Sequence, residues 1–239
     1  MIPVRDTIRS ETYPIINYLL ITLNILVFFV EQSQGYNINE FVFTHGLVPA
    51  RYSEPQISAH FTNSQQVTAF LTFMFLHGGF FHLLGNMWFL YIFGDNVEDR
   101  LGHLRYLAFY LLCGLTSGIS HLFLNWTSQI PTIGASGAIA GVMGAYFLLY
   151  PRAKVLTLVP IFFFLHFIEI PAFLFLGFWI FFQFFNAAFS PQLGGIAWWA
   201  HIGGFFFGII FLKLFQLLPE VSAERKLRNL TKKRATRRM

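Results

Sequence analysis

Six apolar runs account for most of the chain, at about residues 15–30, 68–93, 103–124, 136–150, 171–189 and 198–217. A helix needs about 20 apolar residues to cross the roughly 30 Å hydrocarbon core of a bilayer. Five of the runs reach or approach that length, and with lipid as solvent their backbone polar groups must be satisfied within each helix. Composition agrees: 55% of the 239 residues are hydrophobic, 32 are Phe, and only 11% are charged. That is too little charge to cover the surface of a water-soluble domain. The expected fold is an all-α membrane protein. Residues 1–14 form a leading segment, 15–218 a six-helix membrane domain, and 219–239 a basic tail. No small-residue cleavage site follows the first run, which is read as a retained span. The single Cys113 excludes an internal disulfide framework.

Charge placement orients the spans. With six crossings both termini lie on one side. Arg5, Arg9, Arg100, Arg105, Arg152, Lys154, Lys213 and the tail fall there, against Arg51 on the other. Basic residues favour the cytoplasm, so both termini are expected there, in a cell (inner) membrane. The tail carries eight of the 16 basic residues and reads as a segment held at an anionic leaflet, not as a nucleic-acid-binding arm. The loop at 31–67 then faces outside and is long enough to carry structure of its own. The stretch "PRAKVLTLVPIFFFLHFIEIP" is apolar but broken by Pro160 and Pro171. It is expected to be a connection at the interface, or else part of a kinked fifth span.

The fourth run is short. Fifteen residues make about 21 Å of helix, less than the core is thick. With Arg152 and Lys154 at its far end, its first residue, Ser136, must stop inside the membrane's depth. Irregular backbone is tolerated there only where it is buried or lines a wet cavity. A helix start also offers free N–H groups that can stabilise an oxyanion. The plainer role for Ser136 is an N-cap.

Polar groups within apolar runs are functional hypotheses. In "AWWAHIGGFFFGII", His201, Gly204 and Gly208 share one helical face. Gly137, Gly141 and Gly144 give the fourth helix a matching smooth face, so the two should pack closely and bring His201 near Ser136. Otherwise His201 is an interfacial histidine beside two Trp residues. In the second run His82 and Asn86 are four residues apart and share a face, with His77 above them. Two neutral donors on one face suit an oxyanion site. Metal binding by His77, His82 and His201 is the rival, disfavoured because no carboxylate accompanies them on the outer side and there is no HExxH-type spacing. Asp95, Glu98 and Glu169 lie at the cytoplasmic side, so a serine–histidine pair has no acidic third member. His121, Asn125 and Trp126 read as interfacial.

Three motifs, "HGGFFHLLGN" at 77–86, "GASG" at 134–137 and "AHIGGFFFG" at 200–208, together resemble the rhomboid intramembrane serine proteases. The resemblance implies a six-transmembrane-helix bundle with a short central fourth helix and no cofactor or metal. It implies Ser136 as nucleophile, His201 as general base, and His82, Asn86 and the Ser136 N–H as the oxyanion site. His77 would keep the site polar, and Gly134, Gly137, Gly204 and Gly208 would support it. Glu98 would tie the cytoplasmic end of the second span. The fifth span and "NAAFSPQLGGIA" would form a gate and cap, and the 31–67 loop would lie partly in the outer leaflet. The implied activity is hydrolysis of transmembrane segments of other proteins, with the bilayer as the other partner. Two departures stand out. Ala140 occupies a position where many members have an aromatic residue stacked on the histidine, and "GLVPARY" replaces a Trp-Arg pair in the first outer loop. The rivals are a non-catalytic relative that binds transmembrane helices, and a transporter with a discontinuous fourth helix. The absence of an internal repeat weakens the transporter.

Overall fold

The computed structural model describes residues 1–161, 164–189 and 196–218. The basic tail and the middle of the "NAAFSPQLGGIA" loop lie outside the described residues. The chain is an integral membrane protein built as a helical bundle. Four helices are each long and apolar enough to cross a bilayer: α1 (Ile15–Gln32), α6 (His103–Leu124), α8 (Ala172–Phe189) and α9 (Trp198–Leu217). A bent helix pair brings the number to five when it is counted as one span, and α7 (Ser136–Leu149) is a shorter apolar helix at the centre of the bundle.

The second apolar run is not one helix. Asn63–Phe75, comprising α4 (Asn63–Thr72) and one 3-10 turn, meets α5 (Phe80–Leu101) at 75°. The break falls at "HGG", where Gly79 has φ +149°, a conformation no helix can incorporate. At its other end α5 continues past the expected residue 93 to Leu101, carrying Glu98 into the protein interior. There the Glu98 carboxylate accepts from the first-turn N–H groups of α1, Ile16 N at 3.0 Å and Asn17 N at 2.7 Å, and pairs with His103 Nδ1 at 2.5 Å. The start of α1 has no side-chain cap of its own, so a residue 81 and 82 positions from the two N–H groups completes it. Gly102, at φ +81°, then turns the chain directly into α6.

Helix α7 is buried from Gly137 to Tyr146 and packs on α5, α6, α8 and α9. Its contact with α9 is backbone to backbone. A Cβ on Gly204 would strike the Gly137 carbonyl, and one on Gly208 would strike the Gly141 carbonyl. Without a hydrophobic drive between helices in lipid, such close approach is what holds them together. Cys113 fits against Gly141, where a Cβ would come within 2.5 Å of its sulfur.

The connection at 151–171 forms a hairpin, not an interfacial coil or an extension of helix. Strands β2 (Lys154–Ile161) and β3 (Phe164–Pro171) pair antiparallel, and β1 (Ile2–Asp6) adds to β2. The residues are β-branched and aromatic, which suits strands. Pro160 lies past the 155–158 stretch that β1 covers, where the strand is an edge. Asp6 anchors β1 to the bundle, accepting from Tyr146 Oη at 2.5 Å and Asn96 Nδ2 at 3.0 Å. Burial raises its carboxyl above the usual range.

The 31–67 loop is structured, with α2 (Ile38–His45) and α3 (Pro55–Ser58) leading to α4. Arg51 of "GLVPARY" is fully buried. It donates to the carbonyls of Phe43, Thr44 and Gln65 at 2.6, 3.1 and 3.2 Å and sits 3.6 Å from the Phe61 ring centroid. Leu47 and Thr132 exchange backbone hydrogen bonds, Ala50 N donates to Ser128 O, and Gly134 N donates to Phe73 O. The loop therefore holds the non-helical approach to Ser136 in place.

Candidate active site

Ser136 is the first residue of α7, and its hydroxyl is not spent as a cap: no side-chain cap bond occurs at this helix start. Instead Ser136 Oγ lies 2.8 Å from His201 Nε2. The close α7–α9 packing produces this pairing, since both residues sit at the same end of the two helices.

His201 is held on its other side by a residue the sequence did not single out. Its Nδ1 lies 2.8 Å from Gln183 Oε1 on α8, and Gln183 Nε2 donates to Trp179 O at 3.2 Å. The amide thereby turns its oxygen to the histidine. Trp179 and Trp198 flank the imidazole at 5.9 and 6.3 Å between ring centroids. These contacts occupy the role left vacant at Ala140. The sequence signal was available, because Gln183 is one of two amide side chains in the otherwise apolar "AFLFLGFWIFFQFFNAAF".

Ser136 and His201 open onto a cavity of about 610 Å³ that is also lined by His82, Asn86, Met143 and Trp179. Gly78 N donates to His82 Nδ1 at 3.3 Å, which leaves Nε2 to carry the ring proton. That nitrogen lies against Gly134: a Cβ there would stand 2.9 Å from it and 3.5 Å from Ser136 Oγ. Gly134 also has φ +127°, so both space and backbone require glycine. Asn86 Nδ2 is buried with no hydrogen-bond partner. The His82 and Asn86 side chains thus line the same cavity as the serine.

Other residues named from the sequence lie elsewhere. His77 stands behind His82, its ring 5.2 Å away, and does not line the cavity. Its backbone N–H donates to Glu31 Oε2 at 2.9 Å, and its Nδ1 lies 3.2 Å from Phe75 O. Gly137, Gly204 and Gly208 are packing positions; a Cβ on Gly137 would strike the Ser117 hydroxyl. Asp95, Glu98 and Glu169 are at the opposite end of the bundle from Ser136. Among the described residues no group of three His, Cys, Asp or Glu side chains comes together as metal ligands.

Residues 64–216 match the rhomboid domain, well over half of the chain. The chain belongs to the rhomboid family. Among curated relatives, this rhomboid is 28% identical to Rhomboid protein 1, mitochondrial, of Saccharomyces cerevisiae over 161 residues, 64% of this chain and 43% of that protein. It is 36% identical over 132 residues to Rhomboid protease GluP of Bacillus subtilis, covering 55% of this chain and 24% of that one. It is 42% identical over 76 residues to RHOMBOID-like protein 6, mitochondrial, of Arabidopsis thaliana, covering 31% and 24%. The rhomboid chain thus spans less than half the length of each of these relatives.

Proposed function

We propose that this rhomboid is an intramembrane serine endopeptidase that cleaves transmembrane segments of other membrane proteins. The observation that carries the reading is the 2.8 Å pairing of Ser136 Oγ with His201 Nε2 at a cavity that His82 and Asn86 also line. In this reading a substrate segment docks beside α8 and unwinds, since a helical peptide hides its carbonyls in hydrogen bonds. His201 Nε2 takes the Ser136 proton as the oxygen attacks the scissile carbonyl. The oxyanion that forms accepts from His82 Nε2–H, Asn86 Nδ2–H and the Ser136 N–H, each worth on the order of 3 kcal/mol in the transition state. His201 then gives its proton to the leaving amine. Water entering the cavity then attacks the acyl carbon as His201 Nε2 takes its proton, and His201 returns that proton to the departing Ser136 oxygen, which frees the acid and restores the enzyme. With no carboxylate behind the histidine, turnover should be slower than in a full triad.

Residues 15–218 form the catalytic membrane domain, with six crossings when the bent pair and the short α7 are counted. Residues 1–14 and the basic tail 219–239 lie in the cytoplasm, and the membrane is the cell (inner) membrane. The distribution of basic residues supports this orientation. The test is cleavage of a transmembrane reporter in proteoliposomes. The wild type should yield two fragments, and Ser136→Ala should yield none. Equal cleavage by both would remove Ser136 from the chemistry. Failure of the wild type on a panel of reporters would favour a non-catalytic helix-binding role.

A further inference from the structure

Helix α8 turns most of its surface outward; its buried side chains are Ala172, Phe175, Leu176, Gln183 and Ala187. Four of these are apolar. The fifth is an amide that is only 6% exposed. Removing an amide from water costs several kcal/mol unless its groups are hydrogen-bonded. Both polar ends of Gln183 are used. Nε2 donates to Trp179 O one turn back on the same helix, and Oε1 faces His201 Nδ1. The first bond decides the second: with the NH₂ group committed to a carbonyl, the atom facing the imidazole is an oxygen, which can only accept. His201 must then carry its proton on Nδ1. Its Nε2 is left with a lone pair directed at the Ser136 hydroxyl, 2.8 Å away. A histidine in the other tautomer would point an N–H at the serine and could not remove its proton.

We infer that Gln183 is the positioning residue of this rhomboid, selecting the base-competent tautomer of His201 and fixing its ring, in the place where a soluble triad has a carboxylate. A neutral partner suits the site, because a carboxylate there would stand unscreened among Phe and Trp side chains at membrane depth. Gln183 touches no reacting atom and acts through His201 alone. The inference rests on the proposed serine–histidine reading of the site.

Two measurements on the full chain in mild detergent test it. The first is the rate of labelling by a fluorophosphonate probe. Q183L keeps the approximate shape of the side chain and removes the acceptor. It should slow labelling roughly tenfold or more, the scale on which an outer partner of a functional histidine acts. Q183E, which keeps an acceptor oxygen whether ionised or not, should recover most of that rate. Labelling of Q183L at the wild-type rate, or of Q183E as slowly as Q183L, would overturn the inference. The second is the ¹⁵N spectrum of histidine-labelled wild type, with H201A identifying the signals. Nδ1 should show the protonated, pyrrole-type shift and Nε2 the pyridine-type shift. The opposite tautomer would overturn the inference even if Q183L did not fold. Failure of the underlying reading looks different: wild type and S136A would then label alike.

Discussion

Asn86 holds a buried amide N–H with no partner, a group whose burial costs about 1–3 kcal/mol when left unpaired. Asn86 lies on the cavity wall, one helical turn beyond His82, and in the proposed mechanism that donor is used when negative charge develops beside Ser136. Asn86→Ala should therefore lower the rate constant for reporter cleavage by about 10²-fold while leaving thermal unfolding in detergent nearly unchanged. An unaltered rate would remove Asn86 from the oxyanion role. The same economy is visible at Gly134, whose missing side chain leaves room for the His82 ring against its backbone. At this scale His82, Asn86, Ser136 and His201 stand out in the sequence as candidates because each is a polar residue within an apolar run, whereas Gly134 comes only with the rhomboid resemblance. Gln183 obeys the same rule, but the partner expected behind a histidine base is a carboxylate, and here an amide supplies the acceptor. The buried role of Arg51 was equally hidden, since its partners are backbone carbonyls, which leave no sequence signal.

Glu98 shows how elements are tied at the end of the bundle away from the serine. It belongs to α5 yet completes the first turn of α1 and pairs with the start of α6. Glu98→Ala would leave two N–H groups of α1 unpaired, one buried and one part-buried, a cost of about 2–6 kcal/mol in total. We expect a clear fall in thermal unfolding temperature, with the folded fraction still labelled by a serine probe at the wild-type rate. A stable variant that labels slowly would contradict this, since it would give Glu98 a part in the chemistry. Element positions were readable where length and hydropathy speak: α1, α6, α7, α8 and α9 lie within a few residues of the apolar runs. The bend at His77–Gly79 was not, because a run of apolar residues continues through it and only the glycine conformation breaks the helix. The three-stranded sheet was also out of reach. β1 finds its partner about 150 residues later, and an apolar hairpin between two helices has the composition of a membrane segment.

At the level of the whole molecule, a short helix is carried at the centre of longer ones, with the serine at its start. Backbone contacts with α9 fix the serine–histidine distance, α8 supplies the partner for the histidine, and the 31–67 loop pins the irregular approach. Three separate parts of the chain thus converge on one hydroxyl, which is why three short motifs spread over more than 120 residues carry a joint signal that none carries alone. The central claim is that this convergence activates Ser136 as a nucleophile through His201. The most direct measurement is covalent reaction with a fluorophosphonate probe in mild detergent, comparing wild type with Ser136→Ala and His201→Ala. The account predicts labelling of the wild type alone. Labelling that survives either substitution, or a folded wild type that reacts no faster than Ser136→Ala, would contradict it.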